Sequence, residues 1–188
     1  MKKILIIFLF FQLPVYSQNL VNIYFAGGCF WCMEESFEKI EGIQDVISGY
    51  SGGTTKNPTY KEVTYGNTGH FETVKITYDS EIINYEKILD FYWRNIDPFD
   101  SAGQFCDKGY SYRSVIFYEN LTQKKIIDKS VKDIEFKFNK KVVTYIRKFD
   151  KFYEAELHHQ NYYQENFINY LMYKNGCGRE KSLNKIWN

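Results

Sequence analysis

The chain has 188 residues, 44% hydrophobic and 25% charged, which suits one packed domain and argues against disorder. Its net charge of +1, spread without a basic stripe, gives no case for nucleic acid as a partner. The 17 Tyr and 16 Phe are a marked excess, but in a lysine- and asparagine-rich chain the total itself says little about function.

Met1-Lys2-Lys3 precedes an apolar run from Ile4 to Phe11 and then Val15-Tyr16-Ser17. A basic start, a short apolar core and a small residue at the cut form the pattern of a secretory signal peptide. The run falls short of the roughly twenty apolar residues a membrane helix needs. The expectation is a signal peptide over 1–17, a single catalytic domain over 18–188, and an exported protein, periplasmic or extracellular, without stable membrane insertion. A buried first strand or helix is the other reading of this segment. Loss of Lys2 and Lys3 takes the net charge from +1 to +1 − 2 = −1. The four cysteines Cys29, Cys32, Cys106 and Cys177 all remain after cleavage. An even count permits disulfides in an oxidising compartment. Four are too few to staple a domain of this size, and the Cys29-x-x-Cys32 spacing points to redox chemistry.

Val21 to Ala26 reads as a strand, and Phe30, Met33, Phe37 and Ile40 recur at the three-to-four spacing of an amphipathic helix. Gly27 and Gly28 between them allow a sharp turn. Cys29 therefore falls at a helix N-terminus, where free N–H groups and the dipole favour negative charge, so an acidic, nucleophilic thiol is expected. Ile43 to Ser48 is a second strand, followed by a turn-rich loop through Gly49-Tyr50-Ser51-Gly52-Gly53 and Asn57-Pro58-Thr59-Tyr60. Loops of this kind are a usual place for substrate contacts.

His70 to Tyr78 alternates, with His70, Glu72, Val74, Ile76 and Tyr78 on the more apolar face. A carboxylate at Glu72 on a core-facing position would tend to keep its proton; at the strand's end it would simply reach water. Asn84 to Arg94 is a helix stopped by Ile96-Asp97-Pro98, and Ser101 to Ser111, with Cys106, Asp107 and Gly109, is a loop. Tyr112 to Tyr118 is a strand, Thr122 to Asn139 a helix, and Lys141 to Phe149 a further strand. The last forty or so residues are crowded with aromatics and end in a glycine-flanked Cys177 that reads as a flexible tail. Strands and helices mix without βαβ repetition, so the expected fold is α+β, a two-layer sandwich of helices on a mostly antiparallel sheet.

By spacing alone, Cys29 and Cys32 are either a thioredoxin-like dithiol, half a zinc site, or structural residues on a helix face. Zinc lacks a second pair at ligand spacing, and Cys106, Cys177, His158 and His159 would have to be recruited by folding, so no metal is expected. The dithiol reading is weakened by bulky Phe30 and Trp31 and by prolines, Pro58 and Pro98, that are not flanked as a thioredoxin-like site expects.

Gly28-Cys29-Phe30-Trp31, Asn57-Pro58-Thr59-Tyr60, Gly69-His70-Phe71-Glu72 and Asp107-x-Gly109-x-x-Tyr112-Arg113-Ser114 occur in that order. Together, and with Gly178-Arg179 and Ile186-Trp187 at the end, they resemble the A-type peptide methionine sulfoxide reductases over essentially the whole chain after the leader. The resemblance implies a ferredoxin-like plait with an extended C-terminal coil, and reduction of the S epimer of methionine sulfoxide, protein-bound or free. It implies Cys29 as the nucleophile, Glu72 as proton donor to the leaving oxygen, and Tyr60 and Tyr112 as hydrogen-bond donors to that oxygen. Phe30 and Trp31 would wall an apolar pocket for the S-methyl group, and Asp107 would orient the substrate.

The resemblance further implies that the sulfenic acid left on Cys29 would condense with a second thiol, and that an external thioredoxin-like dithiol would reduce the resulting disulfide without a prosthetic cofactor. Members of the family differ in that second thiol. Cys177 in the tail is the first choice here, Cys32 the second and Cys106 the third; Cys32 also reads as a small buried side chain. The enzyme is expected to be a monomer. The competing readings are an exported thiol–disulfide oxidoreductase using Cys29 and Cys32, and a non-enzymatic domain that binds oxidised or Met-rich segments. His158 and His159 read as structural or as part of a substrate rim.

Overall fold

The computed structural model describes residues 19–188, so the leader expected over 1–17 lies outside the described residues. β1 (Leu20–Ala26) alternates, sending Ile23 and Phe25 to one face and Tyr24 and Ala26 to the other. With both faces apolar it belongs inside a sheet. It pairs antiparallel with β3 (Phe71–Asp79) and with β6 (Val115–Tyr118). β2 (Ile43–Ser51) lies against the other side of β3, and the short β8 (Phe152–Glu154) extends the sheet beyond β2. At the far edge β7 (Tyr145–Lys148) runs parallel to β6. The order is β7-β6-β1-β3-β2-β8, a mostly antiparallel sheet as the patterning predicts.

One face carries the helices. α1 (Phe30–Phe37) contributes Phe30, Met33 and Phe37, α3 (Tyr85–Arg94) contributes Ile88, Leu89 and Tyr92, and α4 (Leu121–Phe138) contributes Ile127 and Ile134. They bury these against Ile23, Phe25, Val74 and Ile76, and each such side chain removed from water is worth about 1.5–3 kcal/mol. The opposite face is covered by aromatics instead: Tyr24, Phe71 and Phe117 meet Phe149 and Phe152, with Tyr24 and Phe149 stacked at 3.8 Å. The result is the expected two-layer α+β arrangement.

The largest differences from the sequence reading fall in three segments. The stretch after Pro58 is not all loop: Thr59 and Glu62 form a reciprocal capping box that starts α2 (Tyr60–Tyr65), too short for its periodicity to register. The strand expected over 141–149 shrinks to β7, because the Val143 N–H is taken by the Pro98 carbonyl instead of a neighbouring strand. Most of all, the expected extended C-terminal coil is three helices, α5 (Tyr162–Glu165), α6 (Phe167–Cys177) and α7 (Arg179–Trp187). Gly178, at φ +65°, breaks α6 from α7, and this glycine gave the segment its look of a loose tail. α7 is anchored by Trp187, whose ring packs edge-on against Phe138 and whose indole N–H donates to the Ile96 carbonyl at 3.1 Å.

Candidate active site

Gly28 adopts φ +84°, and a Cβ on Gly27 would lie 2.6 Å from the Met33 sulfur, so the turn out of β1 requires glycine at both positions. It delivers Cys29 as the N-cap of α1, with the Cys32 and Met33 N–H groups donating to its carbonyl. The thiol itself makes no capping bond and is buried. This reverses the expected acidity. Burial pushes the Cys29 thiol well up, with the Cys32 hydrogen bond and the nearby Cys32 and Glu72 charges adding to it, while only the Tyr173 hydroxyl pulls down. Cys32, one turn on, is lowered to about 7 by the hydrogen bond from Cys29, against its own burial, with help from the Arg179 charge and the Tyr170 hydroxyl. In the substrate-free site Cys29 keeps its proton and supports the charge on Cys32.

Glu72 lies where the alternation of β3 puts it, on the core face and 2% exposed. Its Oε2 accepts the Phe30 N–H at 3.0 Å, and its Oε1 has no partner. Burial is the main reason its carboxyl is raised to about 8, opposed by the Phe30 N–H and reinforced by Asp107 and Cys32. Glu72 is therefore a neutral acid at neutral pH, and the charge that would further suppress Cys29 is then absent. The hydroxyls of Tyr60, first residue of α2, and Tyr112, in a 3-10 turn over Tyr110–Tyr112, lie 3.4 Å apart. Burial, then the Glu72 charge, pushes Tyr60 up to about 12 and raises Tyr112 as well, so both remain donors.

Asp107 sits in a two-residue hairpin of β4 (Gly103–Gln104) and β5 (Asp107–Lys108), where Oδ2 accepts the Tyr173 hydroxyl at 2.5 Å. Cys29, Phe30, Trp31, Tyr60, Glu72, Asp107, Tyr112 and Tyr173 together line one small cavity of about 50 Å³. Every residue expected at the site except the resolving cysteines Cys106 and Cys177 is at this cavity or, like Cys32, bonded to it. The first-choice resolving residue, Cys177, is not free: it forms a disulfide with Cys106, 71 residues away, at the end of α6 and not on a mobile tail. Cys29 and Cys32 are the free pair. Cys106, Asp107 and Cys177 are the one group of three metal-ligand types found together among the described residues, but two of the three sulfur and oxygen donors are locked in that disulfide.

Sequence reasoning missed several contributors. Tyr170 and Tyr173 of α6 reach Cys32 and Cys29. Arg179 is buried, donating to the carbonyls of Gly27 and Asn95. His159 packs at 4.4 Å on Tyr60, 5.2 Å on Phe30 and 5.6 Å on Trp31 and is held neutral by burial, down to about 4. His158 is exposed, so only His159 belongs to the wall. Tyr162 stacks on Trp31 at 3.8 Å. For Tyr162, Tyr170 and Tyr173 the sole sequence signal was an aromatic-rich C-terminus, whereas His159 was read as structural or substrate rim and Arg179 stood in the Gly178-Arg179 motif without a role. His70, also buried, serves the loop after β2: the Gly53 N–H donates to its Nδ1, and its Nε2 meets the Thr55 carbonyl.

A model of the peptide methionine sulfoxide reductase family matches residues 21–188. The chain belongs to that family. The peptide methionine sulfoxide reductase MsrA of Listeria monocytogenes is 48% identical over 173 residues, 91% of this chain and 98% of that protein. The crystal structure of Mxr1 from Saccharomyces cerevisiae in reduced form superposes with a TM-score of 0.74 at 32% identity, covering 78% of this chain and 86% of that one. Methionine sulfoxide reductase A of Corynebacterium diphtheriae gives 0.71 at 27% identity, covering 79% and 76%. The protein is thus an oxidoreductase that reduces methionine sulfoxide. For a methionine sulfoxide reductase the cavity is apt: it joins a thiol, a protonated carboxyl, two hydroxyl donors and an aromatic wall within one cleft.

Proposed function

We propose that the protein reduces the S epimer of methionine sulfoxide with Cys29 as nucleophile and Glu72 as acid. The observation that carries this reading is the neutral Glu72 carboxyl lining the same cavity as Cys29, with Oε1 unpartnered. A sulfoxide oxygen leaves only if it gains protons, and a buried acid near neutrality supplies one at the reacting centre. The Cys29 thiol passes its proton to the Cys32 thiolate bonded to it, and the Cys29 sulfur attacks the sulfoxide sulfur as Glu72 gives its proton to the oxygen. Tyr60 and Tyr112 donate hydrogen bonds to that oxygen as charge builds on it. Phe30 and Trp31 take the methyl group, and Asp107 orients the remainder.

Methionine departs and the oxygen stays on Cys29 as a sulfenic acid. We assign resolution to Cys32. It is free and hydrogen-bonded to Cys29, and its lowered pKa makes it the readier attacking thiolate. Cys32 attacks the Cys29 sulfur, water leaves, and a Cys29–Cys32 disulfide results. A thioredoxin-like dithiol then reduces it by exchange, so no prosthetic group is required for the electron balance. The leader pattern supports an exported enzyme, served by an exported or membrane-fed reductant and repairing oxidised methionine in envelope proteins; the N-terminal mass of the secreted protein should begin after Ser17.

The test is single-turnover reduction of each epimer of peptide-bound methionine sulfoxide by the pre-reduced protein, with mass mapping of the disulfide formed. Loss of the S epimer alone, with a new Cys29–Cys32 bond, is the expected result. The hydrogen-bonded Cys29–Cys32 pair also fits a general thiol–disulfide oxidoreductase. If neither epimer is consumed while both thiols exchange with disulfides, that second reading replaces the first. Cys32→Ser discriminates further: it should keep the first sulfoxide turnover and abolish disulfide exchange.

A further inference from the structure

The disulfide outside the thiol pair has a particular address. Cys106 lies at the tip of the β4–β5 hairpin and Cys177 at the last turn of α6. The residue after Cys106 is Asp107, and the residue one turn before Cys177 is Tyr173. These two neighbours form the 2.5 Å hydrogen bond that ends at Cys29: Cys29 contacts the Tyr173 hydroxyl, and Tyr173 donates to Asp107. The covalent bond thus ties together the two segments that carry this polar pair.

The other attachments of α6 lie elsewhere. Glu35 of α1 accepts the Tyr170 hydroxyl at 2.7 Å and the Lys174 ammonium at 2.6 Å, which fixes the face of α6 that meets Cys32. The hairpin has only two paired positions; its base is held by Gln104, bonded to Asp97, and its tip by Phe105 under the Arg179 guanidinium. Nothing else covalent or ionic joins the Asp107 side of the hairpin to the Tyr173 turn of α6 among the described residues. We propose that the Cys106–Cys177 disulfide is a positioning element of the reaction, pinning Tyr173 between Asp107 and Cys29 so that its single hydroxyl proton, given to Asp107 while Cys29 is a thiol, can turn to the Cys29 thiolate when that forms. It carries no electrons to the sulfoxide. The reducing equivalents come from Cys29 and Cys32, and the outer disulfide persists through turnover. Opening it requires a dithiol reductant, and doing so detunes the nucleophile without touching it.

The titratable groups that face Cys29 or its hydrogen-bonded partner Cys32 come from every element packed around the pair. They are Cys32 on α1, Glu72 on β3, Asp107 on β5, Tyr60 on α2, Tyr112 in the 3-10 turn, Tyr170 and Tyr173 on α6, and Arg179 on α7. Among them Tyr173 is the one that favours the Cys29 thiolate by hydrogen bonding. Losing a hydrogen bond to a charged group shifts an ionisation by about one pH unit, a roughly tenfold smaller thiolate fraction at pH 7.

The inference rests on Cys29 being the nucleophile, and its test is independent of sulfoxide turnover. The rate of Cys29 carboxamidomethylation by iodoacetamide is followed by mass mapping between pH 6 and pH 12, a range that reaches past the raised Cys29 ionisation, and normalised to its alkaline plateau so that access and ionisation separate. In the Cys106→Ser/Cys177→Ser variant the profile should move about one unit upward relative to disulfide-intact protein. Tyr173→Phe with the disulfide intact should give the same shift, and the triple variant no more than either. An unmoved profile in the double variant, or shifts that add in the triple variant, overturns the proposal. If the double variant does not fold, wild-type protein with this one disulfide opened by a phosphine reductant takes its place in the same comparison. A wild type that alkylates as described yet reduces neither epimer would overturn the functional reading and leave this inference standing.

Discussion

At the residue scale the proposed reaction turns on Glu72: alternation along β3 offered it a core-facing position or a strand end in water, and the structure buries it. Its protonation has two measurable consequences. With Glu72 raised to about 8, the acid is lost as pH rises through that value, so the single-turnover rate should show an alkaline limb near pH 8. Glu72→Gln keeps an acceptor for the Phe30 N–H but cannot give up a proton; it should lower the rate by about 10²–10⁴-fold and remove that limb. Stability falls in the same direction. A carboxyl whose folded pKa is raised contributes stability present at low pH and lost as pH rises through its folded value, so Glu72→Gln should melt higher than wild type above about pH 8. A Gln variant that melts no higher there would show that Glu72 is not buried as an acid. The sequence misled on Cys29 because helix position was legible and depth was not. The N-cap placement is real, but a 4% exposed thiol with no capping bond responds first to burial.

At the element scale the least conspicuous strand shapes the site. β8 has three residues, yet it docks the turn that brings Glu156 and His159 to the cavity wall, where Glu156 accepts the Tyr50 hydroxyl and the Tyr60 N–H, each at 2.8 Å. Its close approach to β2 depends on Gly49, where a Cβ would lie 2.3 Å from both the Phe152 ring and the Tyr153 carbonyl. Gly49→Ala should therefore cost about 1–3 kcal/mol in denaturant unfolding and raise KM more than it lowers kcat, since it displaces the wall and not the reacting groups. An unchanged KM would detach β8 from substrate binding. No local pattern announced this strand, and the same holds for α6. Tyr170 and Tyr173 contact cysteines about 140 residues earlier in the chain, and nothing in a run of aromatics says which of them meets a thiol. Tyr60 and Tyr112 were found only through motif resemblance, and their 3.4 Å contact is a product of folding.

At the scale of the whole molecule, a single cross-link ties the C-terminal helices to the hairpin near the middle of the chain. Four cysteines allow three pairings, only one of which contains Cys106–Cys177, and the sequence reading set Cys177 against Cys29 instead. Closing a loop of 71 residues restricts the unfolded chain by about 4 kcal/mol on the chain-entropy account. Urea unfolding of oxidised and fully reduced protein should differ by roughly that amount; equal midpoints would mean that the reduced chain regains the same restraint by contacts alone. Of the three tryptophans, Trp93 and Trp187 have their indole N–H groups bonded to Ser130 and to the Ile96 carbonyl. Trp31 alone packs among Cys29, Cys32 and Tyr162. Sulfur in contact with an excited indole quenches it, so the enzyme carries its own optical gauge of thiol oxidation. In a Trp93→Phe/Trp187→Phe background, emission should step with each turnover and recover on reduction, so that catalysis can be watched in real time without a coupled assay.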